Sequence, residues 1–223
     1  MPALSFEYWS DPLCIWAFVA QPKLDALLRD HGGELAVDHR LVPVFGSIPW
    51  RFREGSWAKA GPEGRREATA RIAREFGHTT VTGAAWTDHA PASSWAPGVA
   101  IKAVFAMEHA GAAPEGAGAR YLTALRAAFF VDNRNTALRH EQLAVAEALE
   151  LDRAPLEQRL DDGTALAALW EDDRERETKR IQGSPTYVFD GGRARLYGNF
   201  DEQVLRATVR TMLDGLQAGG SAC

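Results

Sequence analysis

Cysteine is nearly absent from this sequence: 223 residues hold only Cys14 and Cys223. A disulfide framework is therefore excluded as a source of stability, all the more because Cys223 closes a stretch, "QAGGSAC", that reads as a flexible tail and would anchor a bridge poorly. Nowhere do about 18 apolar residues run together, as a membrane-spanning helix requires. The opening residues "MPALSFEYW" lack the basic start and long apolar run of an export signal. Basic excess is missing too: 25 Lys and Arg are spread among 30 Asp and Glu, a net charge of -5, which offers no stripe to a phosphate backbone. The six histidines include no pair at i and i+4 and no nearby cysteine pair, so no metal-site spacing is present and most are read as surface residues. These absences predict a soluble, cytoplasmic protein without nucleic-acid or membrane partners and with no metal.

What is present suits a globular chain. Hydrophobic residues make up 46% and charged residues 25%, and the length suffices for one large domain or a core domain with an insertion. "ALSFEYW" alternates, with Leu4, Phe6 and Tyr8 on one side, and stops at Ser-Asp-Pro, so it reads as a strand. After Cys14, apolar residues recur at helical spacing until Gly32-Gly33, with Pro22 predicting a kink. "ELAVDHRLVPV" alternates again, and a strand reached through a helix is most simply parallel to the first, which makes a right-handed βαβ opening. The period then stays helical to about residue 181, with segments near 62–77, 98–110, 117–130, 138–149 and 164–181. Strand character returns at 186–189 and 193–197 around Asp190-Gly191-Gly192, a hairpin loop, and a helix from 201 to about 216 closes the chain.

The chemistry suggested by this order centres on Cys14. It follows a strand and a tight turn and begins a helix, whose unpaired N–H groups and dipole favour a negative charge. Free cysteine titrates near ~8.5 and reactive cysteines at helix starts at about 3.5 to 7.5. Position alone thus predicts that Cys14 titrates below an ordinary thiol, against the alternative of a buried, inert side chain. A second signal is Ser184-Pro185, which opens the late hairpin where proline cannot donate to a ladder and needs an edge or a special, cis conformation.

Strand, cysteine at the next helix start, strand, and a late "GSPTYVFDGG" segment together resemble the thioredoxin superfamily. The helical block between the halves resembles its DsbA-like branch, which also holds kappa-class glutathione transferases and 2-hydroxychromene-2-carboxylate isomerases. "YLTALRAAFFVDNRNTALRHEQLAVAEALELD" is similar to that branch's helix, short D-x-R loop and helix, so the likeness covers nearly the whole chain. It implies an α/β, thioredoxin-like fold with an inserted all-helical domain: residues 1–58 and 182–217 as the thioredoxin-like domain, 59–181 as the insertion and 218–223 as a flexible tail. Carried over, Cys14 occupies the first position of C-x-x-C, Asp11 and Pro12 match the turn before the nucleophile, and Ser184-Pro185 matches the cis-proline platform. The resemblance also places Trp16 beside the sulfur and Ser93 where several members have a polar residue. The departure is Cys14-Ile15-Trp16-Ala17, with Ala17 where a resolving cysteine belongs. A mixed disulfide formed on Cys14 must then be released by an outside thiol.

The resulting expectation is a DsbA-like thiol-disulfide oxidoreductase with a single catalytic cysteine, Cys14, exchanging with a small thiol such as glutathione as co-substrate and holding no tightly bound cofactor. Asp11, Pro12, Trp16, Ser93, Ser184 and Pro185 are its expected substrate-binding residues. Two alternatives stay open: a glutathione-dependent isomerase or transferase, and a non-catalytic ligand-binding protein on this fold. The oligomeric state is open as well, a dimer included. Trp50, Arg51 and Arg53 are read either as an anion-binding group or as a solvated crossover. "WTDHAPASSWAPG" is read either as a site-lining loop or as a connector whose tryptophans plug the core. The charge run 171–180 is assigned to a solvated helix face.

Overall fold

Burial of alternate residues turns the opening stretch into the centre of a sheet. In the computed structural model, which describes residues 3–217, strand β1 (Leu4–Ser10) pairs in parallel with β2 (Leu35–Leu41) after helix α1 (Ile15–His31). On its other side β1 pairs antiparallel with β3 (Thr186–Phe189), which pairs antiparallel with β4 (Ala194–Tyr197), giving the order β2-β1-β3-β4. The pairing of Phe6 with Phe189 and of Tyr8 with Tyr187 packs tilted aromatic rings 4.9 and 5.0 Å apart on one face of the sheet. That face is covered by Leu24 and Leu27 of α1 and by Leu205 and Val209 of the last helix (Glu202–Gln217). Trp9, pointing the other way, packs with Val42, Ile181 and Val188. The tail 218–223, with Cys223, lies outside the described residues.

Eight helices stand between β2 and β3: α2 (Ile48–Arg53), α3 (Gly61–Glu75), α4 (Ala85–Asp88), α5 (Trp95–His109), α6 (Ala117–Phe130), α7 (Arg139–Ala148), α8 (Arg153–Asp161) and α9 (Thr164–Thr178); the last helix is α10. Helices α5 to α9 share an aliphatic core built on Ile101, Val104, Leu122, Leu125, Leu156 and Leu169. The five helical segments read from periodicity are all present, whereas α8 and the short α2 and α4 carry too few apolar positions to register as a stripe. Helix α1 runs through Pro22 as one continuous helix. Among the described residues no helix is long and apolar enough to cross a membrane.

Buried charge joins the helices to the sheet, and here one sequence expectation is corrected. Asp172 lies inside the charged run assigned to solvent, yet it is buried. Its carboxylate accepts from the Leu41 N–H at 2.9 Å, from Lys102 Nζ at 2.9 Å and from Arg40 at 3.3 Å, tying α9 and α5 to the end of β2. A charge pattern with opposite signs three and four apart cannot reveal which member turns inward. His39, which alternation sets on the side of Leu35, Val37 and Leu41, packs edge-on to Tyr8 and over Phe105, and burial pushes its pKa down to about 4. On α6, Arg126 is also buried and donates to Ser10 Oγ and to Gln21 Oε1, both at 2.7 Å.

Helices α5 and α6 approach so closely at Gly118 that a Cβ there would lie 2.2 Å from a ring carbon of Phe105. Gly118→Ala is accordingly expected to lower stability by about 1–3 kcal/mol, the usual cost of overpacking, as read from urea unfolding. Gly33→Ala, where the added methyl meets nothing within 4 Å, serves as the neutral control.

Candidate active site

Cys14 is placed by the turn that leaves β1. Its backbone N–H donates to Asp11 O at 3.2 Å, and it stands as the N-cap residue of α1. The Asp11 carboxylate, fully buried, accepts from the Leu13 N–H at 2.7 Å and from the Val44 N–H at 2.8 Å, so one side chain clamps both the turn and the chain leaving β2. The Asp11 N–H in turn donates to Ser184 Oγ at 2.9 Å. The Ser184-Pro185 peptide bond is cis, and the Cys14 thiol donates to the Ser184 carbonyl at 3.3 Å. Residues 170 positions apart thus meet at the sulfur.

The electrostatics correct the expectation of an acidic thiol. Burial pushes the Cys14 pKa above its ordinary value, and the nearby Asp11 charge pushes it the same way. The Ser184 contact and the Trp16 and Ala17 amides act in the opposite direction without overcoming burial. Asp11 itself is pushed up to about 6 by burial, against the lowering effects of Ser94, the Leu13 and Val44 amides and Arg126.

The sulfur opens into a cleft of about 270 Å³ lined by Cys14, Trp16, Ser184, Tyr197, Arg51 and Arg65, with Phe45 and Trp57 forming its wall. A second opening of about 310 Å³ adjoins it across Trp16, Ser184 and Tyr197 and reaches Gly198 and Asn199. Trp16 is 40% exposed and leans edge-on against Phe76, 6.1 Å between centroids, so it forms the rim of the cleft. Ala17 is fully buried one turn along α1.

Of the residues singled out from sequence, Cys14, Trp16 and Ser184 meet in the cleft. Asp11 and Pro12 lie buried behind it, and Pro185 turns its carbonyl to the Gly198 N–H at 2.8 Å. Ser93 accepts from the Trp95 N–H at the start of α5; its buried neighbour Ser94 is the residue against Phe45 and Asp11. Of the uncertain trio, Arg51 lines the cleft, while Trp50 is 48% exposed and neither it nor Arg53 lines the cleft. Trp86 of the long loop is buried against Phe129 and Trp57, as the core-plug alternative requires. Arg65, Trp57 and Tyr197 were missed. Arg65 sits in "GPEGRREATARIARE", whose polar pattern gives no sign that one arginine turns toward a cleft.

With Cys223→Ser as background, the Cys14 alkylation rate is expected to reach its midpoint above the ordinary ~8.5. Asp11→Asn, which removes the negative charge, is expected to move that midpoint down; an unchanged profile in folded protein would contradict the coupling.

A family model described as a DSBA-like thioredoxin domain matches residues 97–210. No curated protein matches the chain in sequence. Among solved structures, a candidate protein disulfide isomerase from Nitrosomonas europaea is similar with a TM-score of 0.75 at 17% identity, covering 97% of this chain and 99% of the other. The cytosolic disulfide reductase DsbM from Pseudomonas aeruginosa is similar with a TM-score of 0.69 at 24% identity, covering 95% and 99%, and has also been solved with GSH. A 2-hydroxychromene-2-carboxylate isomerase is similar with a TM-score of 0.67 at 18% identity, covering 98% and 100%. These likenesses carry the fold, and the family match spans just over half of the sequence. That match takes in most of the helical block together with β3 and β4, and the chain belongs to the DsbA-like thioredoxin-domain family.

Proposed function

We propose that this protein is a thiol-disulfide exchange enzyme with Cys14 as its single nucleophile and glutathione or a similar small thiol as co-substrate. The observation that carries this reading is the cysteine at the floor of an open cleft, 3.3 Å from the Ser184 carbonyl, with Ala17 in the place of a second thiol. The Cys14 thiol gives up its proton to solvent and attacks one sulfur of a disulfide R–S–S–R. The Cys14–S–S–R bond forms while R–S⁻ leaves, and the small thiol, written G–SH, attacks the mixed disulfide to restore the cysteine and release G–S–S–R, so that R–S–S–R and G–SH become R–SH and G–S–S–R. Ser184 and Pro185 supply the backbone platform for the extended ligand, and Trp16 shapes access to the sulfur. DsbM, similar in fold, has been solved with GSH, which supports a small thiol in this cleft. We place the reaction in the cytoplasm, where glutathione is kept reduced, and treat residues 1–58 with 182–217 as the thiol-handling domain and 59–181 as its helical insertion.

A second reading has an observation of its own. Because burial and Asp11 push the Cys14 pKa up, its thiol can serve as a hydrogen-bond donor to the sulfur of a bound thiolate instead of as a nucleophile. Such a role fits a glutathione-dependent isomerase or transferase and needs no disulfide.

Incubation with oxidised glutathione is expected to add one glutathione to Cys14, seen by intact mass, reversed by reduced glutathione and abolished in Cys14→Ser. Binding of reduced glutathione without any adduct would select the second reading. Because the frame lacks only a resolving thiol, Ala17→Cys is expected to gain insulin reduction in dithiothreitol; equal turnover by the unmodified protein, surviving Cys223→Ser, would contradict the single-cysteine cycle.

A further inference from the structure

Arg65 on α3 stands in an aromatic cage beside Cys14, with no anion paired to it among the described residues. Its guanidinium carbon lies 4.5 Å from the Trp57 ring centroid, 5.0 Å from that of Trp86 and 5.8 Å from that of Phe45. Among the described residues its nitrogens make no hydrogen bond or salt bridge, and Nε is buried without a partner. Cation-π contact offsets part of the cost of enclosing this charge, but it leaves five N–H donors unspent. Arginine stays ionised even where burial lowers its pKa, as it does here.

The neighbourhood sharpens the imbalance. Arg51 lies over the same two rings, Phe45 and Trp57, each at 5.3 Å, so two like charges flank one wall of the cleft. Arg51 is partly occupied, donating to Val44 O at 2.5 Å and to Ser56 Oγ at 3.4 Å. Among the described residues no Asp or Glu lines the cleft, and the nearby Asp11 carboxylate is committed to two backbone amides. A cleft with two cations, no anion and a thiol is complementary to a ligand carrying both a sulfur and a negative group.

We propose that Arg65 anchors a carboxylate of the ligand whose sulfur meets Cys14, which makes acidic thiols and their disulfides the substrate class, in preference to neutral or cationic ones. This rests on the proposed exchange at Cys14. In that step the carboxylate docks on the free guanidinium donors, the disulfide lies along Ser184, and Cys14 displaces R–S⁻ as written above. A carboxylate suits the site because a guanidinium presents paired, coplanar N–H groups to it.

The test measures second-order rates of Cys14, in a Cys223→Ser background, with three disulfides: dithiobis(nitrobenzoate), which carries carboxylates, neutral dithiodipyridine and cationic cystamine. Using the ratio of carboxylated to neutral rates cancels any change in Cys14 ionisation. Arg65→Gln is expected to lower that ratio at least about tenfold and Arg65→Lys to keep most of it, with thermal unfolding confirming that both variants are folded. An unchanged ratio in folded Arg65→Gln overturns the anchor while leaving exchange standing. If Cys14 reacts with none of the three, the exchange reading falls, and calorimetry with S-methylglutathione, which cannot exchange, decides the anchor alone. Binding weakened at least about tenfold in Arg65→Gln supports it; equal or absent binding in the unmodified protein and the variant overturns it.

Discussion

The buried carboxylate of Asp11 is the constraint on which the site depends. It accepts the Leu13 and Val44 amides with its two oxygens, and its own N–H donates to Ser184, so the end of β1, the chain beyond β2 and the cis-proline segment are held as one unit. Each of those amides, left unpaired in the interior, would cost about 1–3 kcal/mol. The position of Cys14 follows from this clamp, because its backbone bonds to Asp11 and its sulfur to Ser184. The same carboxylate has an electrostatic side effect: once ionised, above about 6, it opposes ionisation of the thiol it positions. Geometry and reactivity are thereby set against each other in one residue.

Two other buried charges do for the body of the protein what Asp11 does for the site. Arg126 reaches from α6 to Ser10, the residue just before the clamp, and Asp172 reaches from α9 to the Leu41 amide at the end of β2. Both lie where apolar contact alone would permit the helices to slide on the sheet. A buried charge is weak evidence for stability but demands one geometry, since losing either partner leaves an unpaired group in low dielectric. The cleft lies on this seam, bounded by α1 on one side and by α3 and the chain from β2 on the other.

Around the sulfur, aromatic rings take the place of polar side chains. Phe45, Trp57, Trp86 and Phe129 pack in succession with centroids 5.0 to 5.4 Å apart along Phe45–Trp57–Trp86–Phe129. Such a wall excludes water, which raises the thiol pKa and strengthens any ion pair formed within it. The environment that discourages a free thiolate is therefore also one in which a charged ligand would be held firmly. Trp16 and Tyr197, both well exposed, leave the mouth open to an extended ligand on either side of Cys14.

Much of this was legible in the chain itself, because it rests on local rules. Alternation placed β1 and β2, 3.6-residue periodicity placed the long helices, Asp190-Gly191-Gly192 placed the hairpin, and the Ser-Asp-Pro turn before Cys14 together with Ser184-Pro185 marked the family and the site. What remained hidden depends on which way a side chain points after distant segments pack. Helix α8 lacks a clear apolar stripe, Asp172 is one acid among several in a charged run, Ser94 rather than Ser93 faces the clamp, and Arg65 is one of two adjacent arginines. The direction of the Cys14 pKa shift was hidden for the same reason: a helix start is visible in sequence, but the desolvation that pushes the thiol up comes from residues brought together only by the fold. Order along the chain determined the architecture and placed the thiol at a helix start; burial, which is a property of the packed whole, decided the direction of its pKa shift and its neighbours.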